Sequence, residues 1–308
     1  MSSFGILLKS YGPDLPYAER FMRSYSQHAQ EEIPVFAVVP DDDVSEFSTM
    51  MGGRGDVIPE SLWAHHLVDY RIHGNAPGYI NQEIIKLTFH ELGLVDNYLC
   101  ADSEAVFLRK FSSADFMVDS QTPFTFAFED KELMVDPLYE SAYGARRRQY
   151  LMALRQELGL PDTPMVTCHN MAVFSATVTR SLAEYLQSHE MSYADAMEMC
   201  PYEFSWYNFW LEKERVIPRV LREPIFLMLH MEHQHLEYAL KGVDEADLAR
   251  GYVGVVVNSG FSRAHGTLDF EDSIPRALSR YVTLPEIARA LVERGLRRAP
   301  RVRKLLRR

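Results

Sequence analysis

Asp102, Ser103 and Glu104 interrupt an otherwise apolar stretch, 97–108, and leave two carboxylates one residue apart. Alternate residues of an extended chain point the same way, so Asp102 and Glu104 can face one point. Two such charges repel unless a cation joins them. Hard oxygen donors of this kind suit Mg2+ or Mn2+, which keep coordination positions open for water and substrate phosphates. The same triplet also occurs as a plain solvated turn. A second group of chemistry-bearing residues is His230-Met-Glu-His233-Gln-His235. Alone it suggests a zinc-dependent hydrolase, the main rival reading. In a strand His233 and His235 share a face that His230 does not, in a helix only His230 and His233 do, and the HExxH order is absent. A structural role is therefore expected for His233 and His235.

The elements that must position these groups follow from the hydrophobic pattern. The 308 residues, 47% hydrophobic and 24% charged, have the composition of a folded globular protein, which excludes disordered and fibrous classes. Strands are expected at 4–8, 33–39 and 95–100, with helices at 15–28 and 79–92 between them, the latter from the spacing of Ile80, Ile84, Leu87 and Leu92. Strands separated by helices imply crossover units and a largely parallel sheet covered on both faces. Ligands of such sheets sit outside the carboxyl ends of the strands. Further on come an aromatic run at 124–128, a charged helix at 139–158, an uncharged stretch at 164–179, a helix at 179–187, a dense aromatic segment at 202–210, and strands at 224–230 and 252–257. No internal repeat and no long linker is evident.

Here a family resemblance enters. The segment Tyr98-Leu-Cys-Ala-Asp-Ser-Glu-Ala-Val-Phe107 resembles the metal-binding segment of GT-A-type nucleotide-sugar glycosyltransferases, with Glu104 in place of the second Asp. The likeness extends to an uncharacterised bacterial family similar to those transferases. It is carried by Lys9-Ser10, by Gly78-Tyr79-Ile80-Asn81-Gln82 through Lys86-Leu87, and by Phe226-Leu-Met-Leu-His230. The resemblance implies a GT-A-like, Rossmann-type mixed α/β sheet with helices on both faces. It divides 1–270 into a nucleotide-binding half, 1–115, and an elaborated acceptor half, 116–270, followed by a basic helical tail, 271–308. It also implies transfer of a sugar from a nucleotide donor, UDP-linked by preference, to a saccharide, lipid-linked or small-molecule acceptor.

In the relatives a His at the end of a late strand completes the metal site, which makes His230 the expected third ligand beside Asp102 and Glu104. Donor contacts are expected from Lys9, Tyr11, Gly12, Asp41, Ser103, Gln82 and Lys86. Acceptor contacts are expected from His169 and Asn170, polar groups inside the uncharged stretch. The segment 202–210 resembles the relatives' Phe-Ser-Glu-Tyr, but Trp206 stands where they carry Glu. Glu203 is then the nearest carboxylate available as a general base. Trp206, Tyr207 and Trp210 either stack on sugar faces or build core. The Trp206 and Glu104 departures motivate a third reading, a catalytically silent nucleotide-binding or interaction protein.

Residues 289–308 hold eight Arg, one Lys and one Glu, net +8, so the rest of this chain of net charge -11 carries -19. Basic residues interleaved with Leu, as in Arg301-Val-Arg-Lys-Leu-Leu-Arg-Arg308, suit an anionic membrane surface. Nucleic acid is not an expected partner, because the acidic body repels phosphate. Cys100, Cys168 and Cys200 form no CxxC pair and are expected as reduced thiols. The opening residues read as a core strand rather than a signal peptide, and a cytoplasmic protein, peripheral on the inner face of the membrane through its tail, is expected.

Overall fold

A computed structural model describes residues 2–128, 131–136, 139–162, 167–168, 171–230, 234–235, 237–238, 241–258 and 292. In chain order its longer elements are β1 (Ser2–Lys9), α1 (Leu15–His28), β2 (Val35–Val39), α2 (Val44–Met51), β3 (Asp56–Pro59), α3 (Pro77–Thr88), β4 (Val95–Asp102), β5 (Ala105–Phe107), α4 (Ala145–Glu157), β6 (Val173–Ser175), α5 (Ala176–Ser188), α6 (Tyr193–Met199), α7 (Glu203–Glu214), β7 (Phe226–Leu229) and β8 (Gly254–Val257). The chain separates into two compact units: Met1–Met22, Ala29–Ser103 and Phe111–Pro224 form the first, and Arg23–His28, Glu104–Lys110 and Ile225–Arg308 the second.

The first unit is built on a five-stranded sheet of order β3-β2-β1-β4-β6. All neighbours are parallel except β4 and β6, so the sheet is mixed, as expected. Strand β2 is buried at every position, the signature of a strand covered on both faces. Leu7, Phe36, Val38, Tyr98 and Cys100 pack on one side into a large core with Ile80, Ile84, Ile85 and Leu87 of α3 and with the inner faces of α5 and α7. Alternation turns Ile6, Leu8 and Ala37 to the other side, where they are equally buried. Buried Ala18, Phe21 and Met22 of α1 and Phe47 and Met51 of α2 stand outside the α3 core.

Local chemistry explains most boundaries. Pro77 opens α3, where its missing N–H costs nothing. The expected helix 79–92 instead ends at Thr88, and Phe89–Leu92 tightens into a 3-10 turn closed by Gly93 in the left-handed region, φ 61°. Strands β3 and β6 have four and three residues, too short to carry a readable alternation. The aromatic segment 202–210 proves to be most of helix α7. Its aromatic residues are core: Trp206 is fully buried with its indole N–H directed at the carbonyls of Ala196 and Cys200. Tyr207 stacks on Phe174 at 4.1 Å and accepts a hydrogen bond from the Ser175 N–H, and Trp210 donates to Ser181 Oγ. The sugar-stacking option for these rings is thereby overturned.

In the second unit β7 runs parallel to β8, and β8 antiparallel to β5. Val106, Leu229, Leu248 and Val255 make its core, and Phe107 meets Phe226 edge-on at 5.4 Å. A Cβ on Gly254 would drive into the Phe226 ring and the Val106 carbonyl, so only glycine fits there. Among the described residues no helix is long and apolar enough to cross a membrane. The basic tail lies outside the described residues apart from Val292.

Trp206→Ala removes a fully buried indole together with the N–H directed at the Ala196 and Cys200 carbonyls, so the chain should lose about 3–5 kcal/mol of stability, read from chemical denaturation.

Candidate functional site

The sheet order places a reversal between β1 and β4. From β1 the chain moves outward to β2 and β3, and β4 then adds on the opposite side of β1. In open parallel sheets the crevice outside the carboxyl ends at such a switch point is where ligands bind. The two strand ends here are Lys9 and Asp102, which are register partners across the β1–β4 pair. Both project toward the face covered by α3, because Leu7 and Cys100, two residues earlier, belong to that core.

Helix α3 is fixed over this point by β4 itself. The Tyr98 hydroxyl donates to the Lys86 carbonyl at 2.8 Å. The Lys86 ammonium, 3% exposed, reaches Glu203 Oε1 at 2.8 Å and Asp102 Oδ1 at 3.5 Å, and lies over the Phe204 ring at 5.0 Å. Burial by itself lowers its pKa, but Asp102 and Glu83 outweigh burial and raise it, so Lys86 stays charged. Glu203, the first residue of α7, is itself buried and spends its charge on Lys86. It is thus an anchor for the ammonium, whatever else it does.

Glu83 is the residue that sequence reasoning passed over. It is buried on α3, accepts from the Gln82 amide through Oε1 at 3.1 Å, and its Oε2 has no hydrogen-bond partner among the described residues. Burial pushes its pKa up to about 7, against the opposing charge of Lys86. The only signal was its position three residues before Lys86 on one helix. Gln82 itself is half-buried.

The loop after β1 is preformed by acids. Lys9 is buried, bonded to Glu60 at 2.5 Å and to the Ser10 carbonyl at 2.8 Å; burial, opposed by Glu60, lowers its pKa. Its charge is thus already matched within the protein. The Gly12 N–H donates to Asp43 Oδ2 at 2.6 Å, and a Cβ at Gly12 would collide with that carboxylate. Asp41 accepts from the Ser61 N–H and hydroxyl, at 3.1 and 2.6 Å. Tyr11 is 39% exposed. The Ser10 hydroxyl, buried beside Lys9, has no partner among the described residues.

At the end of β4 burial alternates: Asp102 and Glu104 are half-exposed while Ser103 between them is buried. Ser103 and Glu104 form the turn between β4 and β5, not the extended chain expected from the sequence. His230 follows the last residue of β7 and is half-buried, its N–H bonded to the Gln234 side chain at 2.9 Å. His235 is 2% exposed. His169, Asn170 and His233 lie outside the described residues.

Fold and site together define an α/β protein with a carboxylate-edged, lysine-centred cluster at the switch point of a mostly parallel sheet. The chain belongs to the family described as a family of unknown function (DUF6492), whose model matches residues 8–237. Among curated proteins nothing matches. Among solved structures, that of mouse xyloside xylosyltransferase 1 in its apo form is similar, with a TM-score of 0.49 and 9% identity over 83% of this chain and 98% of that one.

A carboxyl held protonated in the fold sets a pH dependence. Between its ordinary value of 4.5 and about 7, Glu83 ionises in the unfolded chain but not in the folded one. Stability should therefore fall as pH rises through that window, by about 3 kcal/mol in all, and no further above it. Denaturation midpoints from pH 4.5 to 8 should show this slope, and Glu83→Gln should remove it.

Proposed function

We propose that this chain is a metal-dependent, GT-A-type glycosyltransferase that moves a sugar from a nucleotide-sugar donor, UDP-linked by resemblance, to a saccharide or lipid-linked acceptor. The observation that carries the reading is the position of Asp102. It ends an apolar strand at the topological switch point, beside the end of β1 and against a buried ammonium, where a phosphate-bearing ligand of this sheet type binds.

The donor set fits a divalent ion of the Mg2+ or Mn2+ class. Asp102 and Glu104 are half-exposed hard-oxygen donors, and Lys86 stands 3.5 Å from Asp102 Oδ1. These two residues would hold the ion, with His230 as the third ligand that the resemblance supplies. When bound, such an ion neutralises the charge that builds on the diphosphate as the nucleotide leaves.

The chain's own residues supply the rest. The 10–12 loop, braced by Asp43, and Asp41, braced by Ser61, form the nucleoside end. The unpartnered Ser10 hydroxyl is a donor held ready for a polar ligand atom. Ser103 sets the turn between the two acids. Gln82 and Lys86 present an amide and a fixed positive charge from one side of α3, and Glu203 holds Lys86 in place instead of serving as a free base. His169 and Asn170 are assigned to the acceptor. Cytoplasmic placement, with the basic tail on an anionic membrane surface, belongs to the same reading.

Two measurements test it. A panel of nucleotide sugars with Mn2+ should give transfer or slow donor hydrolysis, and Asp102→Asn, which keeps an oxygen beside the buried Lys86 ammonium but removes the charge that would hold an ion, should cut it about 100-fold or more. A UDP-type diphosphate should raise the melting temperature of the unmodified chain only when Mn2+ is present. Turnover unaffected by loss of Asp102, or nucleotide binding indifferent to the ion, would refute the assignment.

A further inference from the structure

Away from the switch point, the turn after Glu60–Trp63 carries His65 and His66, and the 3-10 segment Phe89–Leu92 after α3 carries Glu91. The two imidazoles lie against each other, ring centroids 3.9 Å apart, and both direct Nε2 at the same carboxylate. His66 Nε2 is 2.9 Å from Glu91 Oε1, and His65 Nε2 is 3.7 Å from Glu91 Oε2. One ligand atom from each of the three residues lies within 4.8 Å of the other two.

These separations match a coordination shell. Imidazole nitrogen and carboxylate oxygen bound to one tetrahedral zinc at about 2.0–2.2 Å stand about 3.3–3.5 Å apart, between the two distances found here. The set is also partly built. His66 is held by the edge of the buried Tyr193 ring, 4.9 Å away, and its side chain is 22% exposed. The backbone of the turn is fixed by Trp63, which is buried in the core beside Phe89 of the same 3-10 segment. His65, at 63% exposed, keeps the cluster accessible to water. Neighbouring His90 turns away, its Nδ1 on the Leu87 carbonyl at 3.1 Å.

We propose that His65, His66 and Glu91 form a binding site for a borderline transition-metal ion of the Zn2+ class, with water as the fourth ligand. Two nitrogens and one carboxylate favour zinc over Mg2+ or Mn2+, which prefer all-oxygen sets. The bound ion would clip the 64–67 turn to the end of α3, and so stabilise the helix that carries Gln82, Glu83 and Lys86. This inference is independent of the transferase reading and of the Asp102 site.

The test is equilibrium titration of chelator-treated full-length protein with ZnCl2 alone, where substitutions at His65 and Glu91 separate this site from the ligands at Asp102, Glu104 and His230. One equivalent should bind, MgCl2 should not compete, and the melting temperature should rise with zinc. Co2+ in the same site should give the visible absorption of a four-coordinate ion. His65→Ala, on an exposed side chain that the fold does not need, should weaken zinc binding about tenfold or more and abolish the thermal shift, and Glu91→Gln should do the same. No saturable zinc binding, or one equivalent retained unchanged in both variants, would overturn the proposal.

Discussion

The constraint on which the first unit turns is one ammonium with almost no access to water. A charge buried without a partner costs several kcal/mol, and a buried pair is worth keeping only when its geometry satisfies the hydrogens. Lys86 meets that condition with Glu203 at 2.8 Å, Asp102 at 3.5 Å and the face of Phe204. Because those groups belong to α7 and β4, satisfying the ammonium fixes two helices and a strand end relative to one another. Tyr98 closes the same arrangement through the backbone of residue 86.

The sheet converts that constraint into a site. A parallel β1–β4 pair brings Lys9 and Asp102 level at the carboxyl edge, at the point where the strand order changes direction. The loops that surround this edge are not left to side-chain chance. Three acids, Glu60, Asp43 and Asp41, each neutralise a nearby donor, at Lys9, Gly12 and Ser61 respectively. Among the described residues, the Ser10 hydroxyl and Glu83 Oε2 are two of the buried polar atoms left without a hydrogen-bond partner.

The second unit works on a different principle. Its three strands and the Val106, Leu229, Leu248, Val255 core form a compact packing problem solved by Gly254, where the Phe226 ring approaches the backbone too closely for any side chain. Glu104 belongs to this unit and Asp102 to the first. The zinc-type cluster, by contrast, sits wholly in the first unit, on segments 60–66 and 89–92 whose chain neighbours build the core.

Local pattern alone was enough to locate the strands Ser2–Lys9, Val35–Val39 and Val95–Asp102, the helix Leu15–His28, and the interruption at Asp102, because apolar periodicity and its breaks are properties of neighbouring residues. It could not show that 202–210 is a buried helix, since polar Glu203, Ser205 and Asn208 are buried among its aromatic residues and leave no polar face to read, nor that Trp206 is core. The pairing of Lys86 with Glu203, 117 positions away, of Lys9 with Glu60, and the raised pKa of Glu83 were decided by the tertiary structure. Ion pairing and desolvation depend on distance through space and on access to water, and neither quantity exists until the chain has folded.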